Sequence, residues 1–198
     1  MTDHSGPTVW CVAGPPGSGK STLGRELARA VHGALLDQDT ATNPLMARIA
    51  ELVGAGEDLD HPGLGGAVRS ARYRCLIDVA AENSLLGTDV VMVAPFTQEV
   101  ADAAAWQTMV GLLAPARVVL VWVAVAPEVA AARRRTRGLP RDVAADLAAA
   151  RGPAAAVPAV RHLLADGAAD PSAEAPRILA AGGGWRPGPG RIAGPTPR

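Results

Sequence analysis

The chain has 198 residues, with 19 basic and 19 acidic side chains and a formal net charge of +0 at pH 7. That length suits one domain with a substantial core, and the charge balance excludes a protein that binds nucleic acid or other polyanions through its overall field. Two cysteines, Cys11 and Cys75, make neither a disulfide framework nor a CxxC metal pair, and Met1–Pro7 lacks the basic and apolar regions of a signal peptide.

The first predicted element is Thr8 to Ala13 (TVWCVA), a β-branched apolar run closed by glycine, which reads as a buried strand. From Lys20 to His32, Leu23, Leu27, Ala30 and Val31 follow helical spacing, and Gly33 stops the helix. Ala34-Leu35-Leu36 is a second short strand ending at Asp37. Asn43 is placed to cap a helix with Pro44 at its first position, running to about Val53. Gly54 to Gly66 is loop-like, with five glycines and Pro62. Ala67 to Leu86 reads as a long helix closed by Gly87, and Asp89 to Ala94 as a third strand ended by Pro95. Glu99 to Leu113 is helical. Arg117 to Val125 (RVVLVWVAV) is the most strand-like stretch. Pro127 opens a helix that runs into an arginine-dense segment. Arg161 to Ala165 is a last strand and Ala175 to Ala181 a last helix. Gly182 to Arg198 carries six glycines and four prolines and reads as a disordered tail behind a single domain of residues 1–181. Strands alternating with helices, and strands apolar without alternation, predict an α/β protein whose parallel sheet is covered on both faces. The longest apolar run, Val118 to Ala126, is too short to span a bilayer, so a cytoplasmic protein with free thiols and no membrane partner is expected.

The first strand leads into Gly14-Pro15-Pro16-Gly17-Ser18-Gly19-Lys20-Ser21-Thr22, a full match to G-x-x-x-x-G-K-[ST]. In such a loop glycines let backbone N–H groups turn toward phosphate oxygens, Lys20 reaches the β- and γ-phosphates and the Ser21 hydroxyl holds Mg²⁺. The helix that follows points its positive end at the anion. Of the 19 basic residues 18 are arginine, and Lys20 is the single lysine. A compact ammonium and a planar guanidinium are not interchangeable at a tight phosphate site.

Leu36-Asp37-Gln38-Asp39-Thr40 puts two carboxylates at the carboxyl end of the second strand, the edge where open α/β sheets bind ligands. Arg133 to Arg141 holds five arginines in nine residues, which repel one another unless anions lie among them, and Gly138 and Pro140 break the helix there. Arg69 and Arg72, three apart, share a face of the third helix around Tyr73. The third strand ends Val93-Ala94-Pro95-Phe96 without the acidic residue that often binds metal in such folds, and Asp89 lies at its other end.

The loop, the helix behind it and the short strand ending in Asp-x-Asp resemble the small P-loop kinases, such as shikimate kinase, gluconate kinase and the nucleoside monophosphate kinases, and more broadly an AAA-type ATP-binding protein of unassigned substrate. The resemblance spans roughly Val9 to Asp166. It implies a P-loop NTPase fold of three layers, α/β/α, with a five-stranded parallel sheet of order 2-3-1-4-5 and a mobile arginine-rich lid at about residues 133–142. It implies ATP and Mg²⁺ as cofactors, held by residues 14–22, with Ser21 and Asp37 on the metal. Asp37 is also assigned general-base work, and Asp39 the acceptor's hydroxyls. Lys20, Arg134, Arg137 and Arg141 are the expected charge-neutralising catalytic residues, although spacing does not separate them from Arg133 and Arg135. Arg69, Arg72 and Phe96 map to the acceptor pocket; His61 and Tyr73 lie near it, while Trp10 and Trp122 read as core.

The function expected is transfer of the γ-phosphoryl of ATP to a hydroxyl of a small molecule, a sugar acid, cyclitol or similar, by a monomer or homodimer with no nucleic-acid partner. The alternatives are a nucleoside or nucleotide kinase, and a regulatory P-loop NTPase without acceptor phosphorylation. Asp60-His61-Pro62-Gly63 fits the D-x-x-G of GTP switches, but the single lysine leaves no Asn-Lys-x-Asp.

Overall fold

The computed structural model describes residues 6–55, 62–138 and 157–183, the side chains of 62–67 excepted. Its elements in chain order are β1 (Thr8–Ala13), α1 (Lys20–Ala30), β2 (Ala34–Asp37), α2 (Gln38–Leu52), α3 (Pro62–Leu85) and β3 (Val90–Val93). They are followed by α4 (Thr97–Ala101), α5 (Ala103–Leu112), β4 (Arg117–Ala124), α6 (Pro127–Arg137), β5 (Leu163–Asp166) and α7 (Pro171–Gly183). The five strands form one sheet in the order β2-β3-β1-β4-β5, and every pair is parallel. This is the order and the three-layer α/β/α arrangement expected.

The sheet is buried on both faces, which is why its strands read as unbroken apolar runs. Val9, Cys11 and Ala13 of β1 and Val90 and Met92 of β3 face a core made with Tyr73, Leu76, Phe96, Trp106 and Met109 of the helical side formed by α3 to α5. Their neighbours Trp10, Val12, Val91 and Val93 face the opposite core, with Leu23 and Leu27 of α1 and Ile178 of α7. The two faces follow from the two-residue period of a strand. Cys11 and Cys75 are both free. Asp89, at the start of the third strand, accepts the Thr8 N–H at 2.6 Å and the Ala34 N–H on its backbone carbonyl at 2.8 Å, so it ties strand starts together far from the ligand edge.

Four element boundaries differ from the sequence expectation. Helix α3 starts at Pro62, five residues before the expected Ala67 and inside the stretch 54–66 expected as a loop, because proline is tolerated at the first position of a helix. Helix α2 starts at Gln38, because the Asp37 side chain caps it by accepting the N–H groups of Asp39 at 3.1 Å and Thr40 at 3.3 Å; Pro44 lies inside the helix. The helix expected over 99–113 is two helices. Asp102 takes extended dihedrals (φ −130°, ψ 121°) and caps α5 through the Ala104 N–H. The last helix begins at Pro171 behind an Asp170 cap and continues through Gly182 and Gly183, where a tail was expected. Residues 184–198 lie outside the described residues. No helix among those described is long and apolar enough to cross a membrane.

Candidate functional site

All five strands end on one edge, and β1 lies where the order reverses: the chain runs from β1 to β2 on one side of it, then from β3 past it to β4 on the other. Such a switch point leaves a crevice between diverging loops. The loop of residues 14–19 fills it. Its glycines carry the positive φ values such a tight path requires: Gly14 156°, Gly17 82° and Gly19 96°. A Cβ on Gly14 would sit 2.7 Å from both Ser18 Oγ and the Val123 carbonyl, and one on Gly17 would strike the Ala130 backbone.

No side chain caps α1, whose N-terminus opens on a cavity of about 340 Å³. Gly17, Gly19, Lys20, Ser21 and Thr22 line it on one wall, and Arg133 and Arg137 of α6 on another. Lys20 Nζ lies 3.5 Å from the Pro15 carbonyl oxygen, within the loop. An uncapped helix start, glycines without Cβ and three cationic side chains fit an anionic phosphate chain. Among the described residues no group of three or more His, Cys, Asp or Glu side chains is placed to hold a metal ion by itself. The Ser21 hydroxyl at the cavity and the Asp37 carboxylate at the same sheet edge are hard oxygen donors, the kind that a Mg²⁺-type cation takes together with substrate phosphates and water.

The far wall is the turn after β5: Asp166, Gly167 and Ala169, then Pro171 and Glu174 of α7. Sequence reasoning missed these residues. The signal present was the turn chemistry of Asp166-Gly167 and Asp170-Pro171 after the last strand. Glu174 is buried and accepts the Asp166 N–H at 2.7 Å, and Arg177 donates to it through Nε at 2.8 Å. The Arg177 hydrogen bond is the main cause that holds the Glu174 carboxyl below its ordinary range.

The arginines of α6 divide their work. Arg134 is buried, 7% exposed, and donates from Nη1 to the Pro16 carbonyl at 2.8 Å. This places it against the back of the phosphate loop. Arg133 lines the cavity and donates to the Gly167 carbonyl at 2.8 Å, with the Gly17 and Ser18 carbonyls at 3.4 Å. Arg137 lines the cavity near the Gly138 that ends α6 with φ 66°. His61 and, of the expected lid, residues 139–142 with Arg141 lie outside the described residues.

On the β2–β3 side the structure brings Asp37, Asp39, Arg69 and Arg72 together at the same edge. Asp37 is nearly buried and uses Oδ1 for the α2 cap. Arg72 donates from Nε to Thr42 Oγ1 at 2.8 Å, and from Nη2 to Asn43 Oδ1 at 2.8 Å and Asp39 Oδ1 at 3.3 Å. Arg69 donates from Nη1 to Gln98 Oε1 at 2.9 Å and from Nη2 to Glu99 Oε2 at 3.1 Å, with its guanidinium 4.4 Å above the Tyr73 ring centroid. Asn43, expected as a cap, is instead a partner of Arg72. Phe96 is fully buried, edge-on to Tyr73 at 5.6 Å, which puts it in the core. Its backbone has φ 48°, and its N–H donates to Tyr73 Oη at 2.8 Å. Burial first, and the Glu99 charge second, push the Tyr73 phenol up to about 12.

A family model described as an AAA domain matches residues 9–154. The shikimate kinase of Mycobacterium ulcerans (strain Agy99) is 39% identical over 87 residues, covering 34% of this chain and 47% of that enzyme. The chain thus spans about half the length of the curated relatives it matches. Among solved structures, a protein of Chloroflexus aurantiacus j-10-fl, solved as a candidate kinase, superposes with a TM-score of 0.62 at 20% identity, over 88% of this chain and 95% of that one. The APS kinase of Mycobacterium tuberculosis, solved with AMPPNP and APS, gives a TM-score of 0.56 at 19% identity, over 88% and 96%. A gluconokinase of Sinorhizobium meliloti 1021 gives 0.51 at 18% identity, over 88% and 90%. At these identities the likeness is one of fold.

Proposed function

Because this chain belongs to the AAA-domain family, we propose that it is an ATP-dependent small-molecule kinase, moving the γ-phosphoryl of ATP to a hydroxyl of a sugar acid, cyclitol or similar compound. One observation carries the reading. A phosphate loop with Lys20 and Ser21 opens on a nucleotide-sized cavity on the β4–β5 side of β1, while paired carboxylates stand at the β2–β3 side of the same edge. A donor site and an acceptor site on either side of one loop is what transfer between two bound molecules requires.

In this reading the loop amides and Lys20 bind the nucleotide phosphates, and Arg133 and Arg137 add positive charge from the opposite wall. Phosphoryl transfer needs little covalent chemistry from the protein, so positioning and neutralisation of developing charge do most of the work. Ser21 and Asp37 would hold Mg²⁺, which when bound neutralises phosphate charge. Asp39 orients the acceptor's hydroxyls, and Asp37 accepts the proton of the one that attacks. The shikimate kinases among its relatives support a kinase over a motor-type ATPase.

The test is coupled ADP release by the full chain with ATP, Mg²⁺ and a panel of polyols, sugar acids, nucleosides and nucleotides, with the phosphoester detected directly. Turnover that depends on an acceptor and is abolished in Lys20→Ala is expected. Normal turnover by Lys20→Ala refutes the site. Phosphorylation of a nucleoside alone assigns the chain to nucleoside kinases, and ATP hydrolysis without any phosphoester assigns it to regulatory NTPases.

A further inference from the structure

Resting on the nucleotide site proposed above, we infer that Glu174 and Arg177 are positioning residues for the nucleoside half of the nucleotide: they hold the turn of residues 166–171 against which the ribose and base lie, and they act through that turn rather than on the phosphoryl groups.

The cavity has two unlike ends. Glycines, Lys20 and the uncapped start of α1 make one of them, and they suit phosphates. Asp166, Gly167, Ala169, Pro171 and Glu174 line the other. With its phosphates at the loop, a nucleotide has this far wall for its ribose and base.

The wall grows out of β5, the last strand in the sheet order, which is paired on one side with β4. Side chains of α7 take up the other side. Arg177 Nη2 donates to the Leu164 carbonyl at 2.6 Å, and Glu174 Oε1 accepts the Asp166 N–H at 2.7 Å. Arg177 Nε donates to Glu174 Oε2 at 2.8 Å and joins the two contacts into one bridge. Next along the chain, the Gly167 N–H donates to the Ala124 carbonyl of β4 at 2.7 Å, the Ala168 N–H to Asp166 Oδ1 at 2.8 Å and the Ala169 N–H to the Asp166 carbonyl at 3.2 Å. Of these four consecutive N–H groups, the first is held by a side chain of α7. It belongs to Asp166, the last residue of the strand, so it sets the direction in which the turn leaves the sheet.

The Glu174 side chain is 7% exposed. An enclosed carboxylate is costly unless paired, and replacing a buried ion pair by apolar groups is often neutral for stability. Stability alone therefore does not account for an acid at this wall. What the carboxylate supplies, and an apolar side chain does not, is a fixed acceptor for the Asp166 N–H. A turn held in one arrangement beforehand spares the cost of ordering it when the nucleoside arrives.

Calorimetric titration of the full chain with ADP, and separately with pyrophosphate, both with Mg²⁺, tests this in the wild type, Glu174→Met, Glu174→Gln and Arg177→Met. Pyrophosphate carries the phosphates of ADP without its nucleoside. The wild type should bind ADP more tightly than pyrophosphate. Glu174→Met should weaken ADP about tenfold and pyrophosphate by less than about twofold. Glu174→Gln, which keeps an oxygen for the Asp166 N–H, should recover most of that loss. Arg177→Met, at a side chain 55% exposed, should weaken ADP about threefold. Equal losses for the two ligands overturn the inference, because the pair would then support the whole site. So does unchanged ADP affinity in Glu174→Met, and so does a wild type that binds ADP no better than pyrophosphate. If Glu174→Met does not fold, the contrast between the two ligands in Arg177→Met decides by the same criteria. A selective loss of ADP binding in a protein that phosphorylates no acceptor upholds the inference and refutes the kinase reading, so the two fail separately.

Discussion

Replacing Arg134 by methionine separates two roles that the arginine cluster could play. The side chain is 7% exposed and its Nη1 donates to the Pro16 carbonyl at 2.8 Å, a hydrogen bond to the protein's own phosphate loop. Methionine keeps most of the buried hydrocarbon and removes the donor. A hydrogen bond from a charged donor contributes about 1.5–3 kcal/mol, and the lower figure applies where water can reach the abandoned carbonyl. If that energy serves to hold the loop in its binding shape, it is lost from nucleotide affinity. At about 1.36 kcal/mol per factor of ten, the dissociation constants of ADP and AMPPNP should both rise about 10- to 150-fold. The rate at saturating ATP should change little, and Arg134→Lys, which can still reach one carbonyl, should recover part of the loss. Calorimetric titration of ADP, with steady-state kinetics beside it, reads all of these. Unchanged ADP affinity in Arg134→Met with a large fall in kcat would refute the reasoning, because it would mean that the guanidinium acts on the phosphoryl group in transfer and does not brace the loop.

Other outcomes follow from the same geometry. Tyr73→Phe removes the acceptor of the Phe96 N–H and leaves a buried donor at a residue held at φ 48°, so stability should fall by about 1–3 kcal/mol; an unchanged urea midpoint would contradict this. Glu174 has its folded pKa lowered, chiefly by Arg177, so its contribution is complete above the ordinary value of 4.5 and is lost as pH falls through the lower folded value. Glu174→Gln should therefore flatten the acid limb of the stability curve below about pH 4.5, and an acid limb identical to wild type counts against the pairing. A Cβ at residue 167 would press on the Ser18 and Ala124 carbonyls, so Gly167→Ala should cost about 1–3 kcal/mol and weaken ADP binding; wild-type Tm and ADP affinity together would disprove the close approach.

The architecture was legible because its signals are local. Strands buried on both faces must be apolar at every position, and a glycine-lysine loop between strand and helix announces the switch point. Boundaries failed where a polar side chain had two possible uses. Asn43-Pro44 has the composition of a helix start, but Asp37 sits at the end of a strand and captures the N–H groups of Asp39 and Thr40 first. Asp102 lies inside the stretch expected as one helix, but it takes extended dihedrals and caps the helix that follows. Consecutive residues on a helix point about 100° apart, so telling Arg133 from Arg134 requires knowing which side of α6 meets the loop, and spacing does not contain that. The pairing of Arg69 with Glu99 and of Arg72 with Asp39 joins residues some 30 positions apart, on elements whose mutual placement only the fold decides. The far wall of the nucleotide cavity was missed for another reason. It is made largely of turn backbone after β5, and backbone leaves no characteristic residue type in a sequence.

The position of Lys20 has a chemical consequence for anyone handling the protein. The other 18 basic side chains are guanidinium groups, inert to acylating reagents near neutral pH, so the only ε-amine in the molecule lines the nucleotide cavity. Apart from the α-amino group, an amine-directed label has one place to go. The mass of the intact chain after a brief exposure therefore measures how often that cavity is filled, and a compound that shields the amine identifies itself as a ligand of the loop with no reaction assayed.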